Sequence, residues 1–162
     1  MAEQTVGAGR ASEQEVGCFT IGVFQDVSWA ERGLEALKRD GFPAESMSIL
    51  AKAGPDASAF IERTLGGSAT SMDLKPLGPV VVKGPLLAAL EGHARDLSRV
   101  GLADAMRRVG FQGHDGLIFE TLTGRGGILL AVRTESRAAD ALALLHCYGG
   151  GNAAIGAWLG RV

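Results

Sequence analysis

A strand-helix-strand plan that occurs twice, once towards each end, constrains the fold of this chain more than any other feature. In the first copy, Phe19, Ile21 and Val23 alternate with other residues, which is typical of a strand with one buried side. A helix is predicted over Trp29 to Asp40 and a short second strand over Met47 to Ala51. Because each such unit leaves an apolar face open, we expect the two units to pack together.

The second copy has its strand at Ile128 to Val132, its helix at Arg137 to Tyr148 and its last strand at Ala153 to Trp158. A shift of 108 residues superposes the two helices with five matches in register: Ala30 with Ala138, Gly33 with Ala141, Leu34 with Leu142, Leu37 with Leu145, and Gly41 with Gly149. The shared apolar stripe and terminal glycine indicate two related units about a pseudo-twofold axis. A chance match is the alternative, because Ala and Leu are common in helices.

These patterns predict an α/β (α+β) fold of the ferredoxin-like kind, with pseudo-duplicated βαβ units, a small antiparallel sheet and an inserted helical hairpin. The first unit spans 18–53, the Gly- and Pro-rich helical insert spans 54–123, and the second unit spans 124–162. A chain of 162 residues with 46% hydrophobic content can bury one ordinary core, so 18–162 is expected to be a single domain. Residues 1–17 show no apolar periodicity and are predicted to be a flexible tail.

Capping residues set the predicted helix ends. Ser28 is followed three residues later by Glu31, the spacing of a capping box, so Ser28 is the expected N-cap of the first helix. Ser136 can cap the second helix in the same way. Gly41 and Gly149 are the expected stops.

Within the insert, Gly-Pro pairs flank the β-branched run Val80 to Val82, and a leucine-rich helix predicted from Leu86 to Leu97 follows. Such a segment can pack closely against another chain, which makes this the candidate interface of a homo-oligomer. The candidate interface residues are Val80, Val81, Val82, Leu86, Leu87 and Leu90. The alternative is an internal hairpin that docks on the chain's own sheet.

Charge and hydropathy exclude several classes of partner. A net charge of −2 and a pI near 5.9 provide no basic field for phosphates, so no nucleic-acid partner is expected. The apolar runs are shorter than the roughly 20 residues of a membrane-spanning helix, and the N-terminus lacks the apolar core of a signal peptide. The expected location is the cytoplasm, where Cys18 and Cys147 should be two buried thiols without a disulfide.

No residue pattern supports catalysis or a cofactor. The glycine-rich stretches lack the spacing of phosphate-binding loops, and neither a nucleophile elbow nor a Cys/His pair of catalytic type is present. His93, His114 and His146 fall in three separate predicted elements, which argues against a metal site. We therefore predict a protein that is not an enzyme and that holds no metal or cofactor.

Three groups of residues resemble the general stress protein family, also called the heat-induced stress protein type. They are Phe19 to Asp26 with Gly41-Phe42 and Ile49-Leu50, the central Gly78 to Leu86, and the closing Gly126 to Arg133. The resemblance extends over about Cys18 to Gly150 and implies bacterial origin, a stress or accessory role, and no catalytic residues. The chain departs from the family at His93 to Asp96 and at Arg107-Arg108, where many relatives have an almost pure Ala/Gly stretch.

The main functional hypothesis is a non-catalytic stress-associated or assembly protein that acts through homo-oligomerisation. One alternative is a ferredoxin-like module that senses a small ligand or metal held between its halves. Another is a scaffold or accessory subunit of a larger enzyme complex. A pocket with converging polar groups would favour the sensing module.

Overall fold

The computed structural model describes residues 17–134, 136–150 and 152–158, which form a mixed α/β fold with one six-stranded sheet. The strands are β1 (Gly17–Phe24), β2 (Met47–Lys52), β3 (Thr70–Leu74), β4 (Gly78–Lys83), β5 (Ile128–Thr134) and β6 (Ala154–Trp158). The helices are α1 (Val27–Arg39), α2 (Pro55–Leu65), α3 (Leu86–Glu91), α4 (Leu97–Val100), α5 (Leu102–Met106), α6 (Gly113–Gly124) and α7 (Ala138–Cys147). The tail predicted at 1–17 lies outside the described residues, except that Gly17 begins β1.

The strand order is β3-β4-β2-β5-β1-β6, and every neighbouring pair is antiparallel. Strand β5 of the second unit lies between β2 and β1 of the first, and β6 pairs with the outer side of β1. The strands of the two predicted units therefore alternate within one sheet. The α/β class and the antiparallel sheet are confirmed.

Both faces of the sheet are covered, because successive side chains of a strand point to opposite faces. Phe19, Ile21 and Val23 of β1 pack into a cluster with the insert helices α3 to α6. Phe24, on the other face, packs into a second cluster with α1, α2 and α7, in which Leu145 of α7 is buried. Strand β1 is therefore buried on both sides, and the prediction of a strand with one buried side is wrong because helices cover the second face as well.

The two matched helices have the predicted terminal glycines, but neither predicted serine caps its helix. In α7 the N-cap position is Arg137, not Ser136, and none of the described side chains caps the helix. Gly41 and Gly149 both have left-handed backbone, with φ of 99° and 103°, the conformation that favours glycine after a helix. The predicted N-cap of α1 is wrong, because Asp26 Oδ1 accepts the Trp29 N–H at 2.9 Å and the helix begins at Val27. Asp26 fills this position because β1 ends two residues earlier, before Ser28 is reached.

The prediction that the insert forms a helical hairpin is wrong as well. Besides short helices, the insert supplies α2 and the strands β3 and β4, which extend the sheet beyond β2. In the β2–β4 pairing, Ala51 lies opposite Val81 and Leu50 opposite Val82. The β-branched run therefore forms a strand inside the chain's own sheet, for which its residues have high propensity.

The insert helices are shorter than predicted, and an arginine joins them. The helix that begins at Leu86 ends at Glu91, where Arg108 donates to the main-chain carbonyls of Leu90 and Glu91 at 2.9 Å each. Arg108 also pairs with Asp96 at 2.6 Å, and this hydrogen bond lowers the pKa of the Asp96 carboxyl group. Arg108 is thus a structural residue that ties α3 to the turn before α4.

Candidate functional site

The predicted interface segment lies inside the chain. Val80, Val82, Leu86 and Leu90 are fully buried and Val81 is 4% exposed, whereas Leu87 is half-buried. Strand β4 is an interior strand between β3 and β2, and its side chains enter both cores. The internal packing that the sequence left as the alternative is the arrangement observed. A second chain cannot reach five of these six side chains while the fold stays closed.

Among the described strands, β3 and β6 form the two edges of the sheet. Strand β3 carries the exposed Asp73, and proteins commonly use a charged residue to prevent an edge strand from pairing with other chains. Strand β6, with the sequence Ala-Ile-Gly-Ala-Trp from residue 154, has neither a charge nor a proline. It is the edge strand without such protection.

The hydrogen bonds of Asn152 show which main-chain groups of β6 point outward. Asn152 Oδ1 accepts the Val23 N–H at 2.9 Å, and Asn152 Nδ2 donates to the Val23 carbonyl at 3.2 Å, so both Val23 groups point towards β6. In antiparallel pairs this direction alternates from residue to residue. Ala154 and Gly156, opposite Ile21 and Phe19, therefore bond to β1. The N–H and C=O of Ile155 point away from the sheet.

The two faces of β6 differ in how the chain covers them. A Cβ atom at Gly156 would lie 2.5 Å from the Phe111 ring, so the insert packs directly on this side of the strand. Ile155 is on the opposite face, because it pairs with Thr20, whose side chain lies on the same side as that of Phe24. Its side chain is 41% exposed. Ile155 therefore lies on the face of the sheet that α7 packs on, but α7 leaves its side chain partly exposed.

Helix α7 has an outer side that the described residues leave uncovered. Although eight of its ten residues are Ala, Leu or Cys, only Ala141 and Leu145 are buried. Helices that are apolar on all sides are normally buried on all sides. Leu144 packs into the core cluster shared with α1, and Leu142, two residues and about 200° away around the axis, lies on the opposite flank of α7, a helix that contacts both β1 and β6. We name the open main-chain edge of β6 with Ile155 and Leu142 the edge surface.

The two ends of the α1–α7 pair are built differently. At one end, Arg137 stacks 4.3 Å from the centre of the Phe42 ring and forms an ion pair with Asp40, which closes the junction. At the other end an open cleft of about 390 Å³ remains, with Trp29 37% exposed. The cleft is lined by Gln25, Trp29, His146, Cys147 and Gly149. This cleft combines an aromatic face with polar side chains.

Neither of the two thiols predicted to be buried is fully buried, and the three histidines lie on the surface. Both cysteines are free thiols, but only Cys18 is half-buried; Cys147 is exposed, which contradicts the prediction of two buried thiols. Its position in the last turn of α7, on the side away from the sheet, explains the exposure. His93, His114 and His146 are all exposed on separate elements.

The residues that the structure describes contain neither a cluster of metal ligands nor a membrane-spanning helix. No group of three or more His, Cys, Asp and Glu side chains in this part of the chain is placed to hold a metal ion. None of the helices described is both long enough and apolar enough to cross a bilayer. The edge surface and the Trp29 cleft are accordingly the two candidate sites. No family model, curated protein or solved structure matches this chain.

Proposed function

We propose that this protein is a non-catalytic, stress-associated assembly protein of the cytoplasm that acts as a homo-oligomer through the edge surface. The observation that carries the proposal is the unprotected β6 edge beside the exposed Ile155. An open strand edge offers a row of main-chain donors and acceptors that a further strand can satisfy. Membership of the general stress protein family is part of the proposal and rests on the sequence resemblance alone.

A ferredoxin-like architecture is the second part of the proposal. The four strands of the two units run in the order β6-β1-β5-β2, that is fourth, first, third, second, with all neighbours antiparallel. This order supports two interlocked βαβ units with the insert placed between the second and third strands. Helices α3 to α6 cover one face of the sheet, and α1, α2 and α7 cover the other. The edge is therefore the part of the sheet that is left for another chain.

Three ion pairs support a role without catalysis, because they join separate elements of the fold: Arg63–Glu31, Arg108–Asp96 and Arg137–Asp40. Arg63 of α2 donates two hydrogen bonds of 3.0 and 3.2 Å to Glu31 of α1. These hydrogen bonds lower the pKa of the Glu31 carboxyl group. Arg137 links the end of α1 to the start of α7. These charges hold helices in place.

The proposal predicts a wild-type mass that is a multiple of the 16.8 kDa chain across the micromolar range. Light scattering coupled to size-exclusion chromatography measures it. Ile155→Lys should shift the protein to monomer, because a charge at a desolvated contact is costly. Leu117→Lys is the matched control, since Leu117 is 56% exposed on α6, on the opposite face of the sheet, and should leave the mass unchanged. A wild-type monomer at every concentration would contradict the proposal.

The Trp29 cleft favours a second candidate function, a module that holds a small ligand between its two halves. Arg32 lies 4.7 Å from the centre of the Trp29 ring, and Gln25 and His146 face the same space. An aromatic surface next to a guanidinium group suits a planar ligand that carries an acceptor group.

This second function predicts that some member of a small-metabolite library raises the melting temperature of the wild-type protein. Trp29→Ala should abolish that shift because it removes the stacking surface, whereas Leu117→Ala should keep it. Calorimetric titration of the selected compound would measure both variants. A library without any stabilising compound, or a shift that survives Trp29→Ala, counts against the cleft as a ligand site.

A further inference from the structure

We infer that two copies of this chain join β6 to β6 in antiparallel fashion, with the register centred on Gly156, and form one continuous sheet of twice six strands. The inference rests on the proposed function, because it names the partner and the geometry at the edge surface. The occupant of the edge is thus a second copy of the same chain.

The hydrogen-bonding pattern of β6 selects this register. The main-chain groups of Ile155 point outward, and by the same alternation those of Ala157 do so as well. With the twofold axis at Gly156, Ile155 of each copy lies opposite Ala157 of the other copy. The outward main-chain groups of both residues therefore find hydrogen-bond partners. The contact has four hydrogen bonds in two equivalent pairs.

The register centred on Ile155 satisfies fewer of these groups. A twofold at Ile155 would place Ala157 opposite Ala153 of the second copy, beyond the end of the strand. The Ala153 N–H is already used, since it donates to the Gly150 carbonyl at 2.9 Å. Only the central pair would then form two good hydrogen bonds.

The side chains agree with a symmetric contact. A twofold perpendicular to the sheet places α7 of both copies on the same face. Helix α7 packs chiefly on β1, so the two helices would stand about three strand spacings, roughly 14 Å, apart. Direct helix contact needs 8–10 Å. Leu142 and Ile155 of each copy would lie in the space between the two helices. Contacts among these four side chains would fill that space and cover them.

Charge also favours self-pairing over pairing with an acidic or basic strand. Strand β6 carries no ionisable side chain, so two copies meet without like charges at the contact. The opposite edge, β3, carries the exposed Asp73, so a symmetric pairing centred on that short strand would bring two like charges near each other, which is unfavourable. Of the two edges, β6 is therefore the one suited to a second copy.

Cysteine cross-linking tests the register. In a background of Cys18→Ser and Cys147→Ser, the double variant Ile155→Cys, Ala157→Cys places thiols on directly opposed residues, about 5.5 Å apart at Cα, within the range of a disulfide. Oxidation should convert it to covalent dimer at least ten times more efficiently than Ile155→Cys alone. Leu117→Cys is the control for collisional cross-linking and should stay monomeric on a denaturing gel.

Hydrogen exchange of the unmodified protein gives a second readout that needs no variant. The Ile155 amide should be protected at high concentration and lose at least tenfold in protection on dilution into monomer, while the Gly156 amide, bonded to β1, changes less. Efficient cross-linking of Ile155→Cys alone would overturn the register. A stable dimer without cross-links and without protection of Ile155 would overturn the inference but leave homo-oligomerisation standing. A monomer at all concentrations would overturn both the β6 pairing and the proposed homo-oligomer. A dimer that forms only after residues 1–16 are removed would overturn them as well.

Discussion

Replacement of Gly84 by alanine is expected to lower the free energy of unfolding by about 3–5 kcal/mol. Gly84 follows β4 with φ of 119°, a conformation that side chains rarely adopt, and a Cβ atom there would lie 2.5 Å from the Cα of Ser48. It would also collide with Ser48 Oγ, which accepts the buried Leu86 N–H at 2.9 Å. The variant therefore strains the main chain and leaves a buried donor without a partner.

The other end of β4 provides a matched control. Gly78 has φ of 83°, but a Cβ atom there would meet nothing within 4 Å. Gly78→Ala should therefore cost only the conformational strain, about 1–2 kcal/mol. Urea unfolding of both variants at one protein concentration separates strain from collision, and equal losses would show that the collision at Gly84 relaxes without cost.

The second large effect is expected from Leu34→Ala, which should lower the free energy of unfolding by about 2–5 kcal/mol, whereas Leu142→Ala should cost less than about 1.5 kcal/mol. The repeat alone predicts equal losses, because the two leucines match in register. Leu34 is fully buried between the sheet and α2, but Leu142 is half-buried and belongs to neither core cluster.

Leu145 provides the comparison within α7. It is fully buried, matches the fully buried Leu37 of α1, and should lose as much stability as Leu34 when replaced by alanine. Equilibrium unfolding of all three variants tests the set. A severe loss at Leu142 in a monomeric sample would mean that α7 packs on the sheet as completely as α1 does, and it would remove Leu142 from the edge surface.

Local patterns were sufficient for the elements that depend on neighbours in sequence. The alternation around Phe19 and Ile21 predicts β1, and the glycines at 41 and 149 predict the ends of both matched helices. The N-cap of α1 was harder, because Asp26 and Ser28 are both good capping residues. Where β1 ends decides between them, and that depends on how far β5 extends alongside it.

The candidate site depended on contacts that are distant in sequence. Val80 to Val82 has the composition of a buried strand, and the same composition suits a core and an interface equally well. The position of β4 between two strands, with helices on both faces, makes the segment part of the core. The edge surface had no comparable signal, because Ile155 lies in a short strand of ordinary residues.

By itself, the sequence determined the secondary structure of the two predicted units, because period-two and helical spacing act within a few residues of one another. The order of the strands was decided only in the tertiary structure. Pairing residues as far apart as Ile21 and Ala131 or Ile155 and Thr20 depends on which faces the remaining elements cover. An edge exists only once that order is set, so the exposure of β6, and with it the proposed assembly, follows from the whole fold.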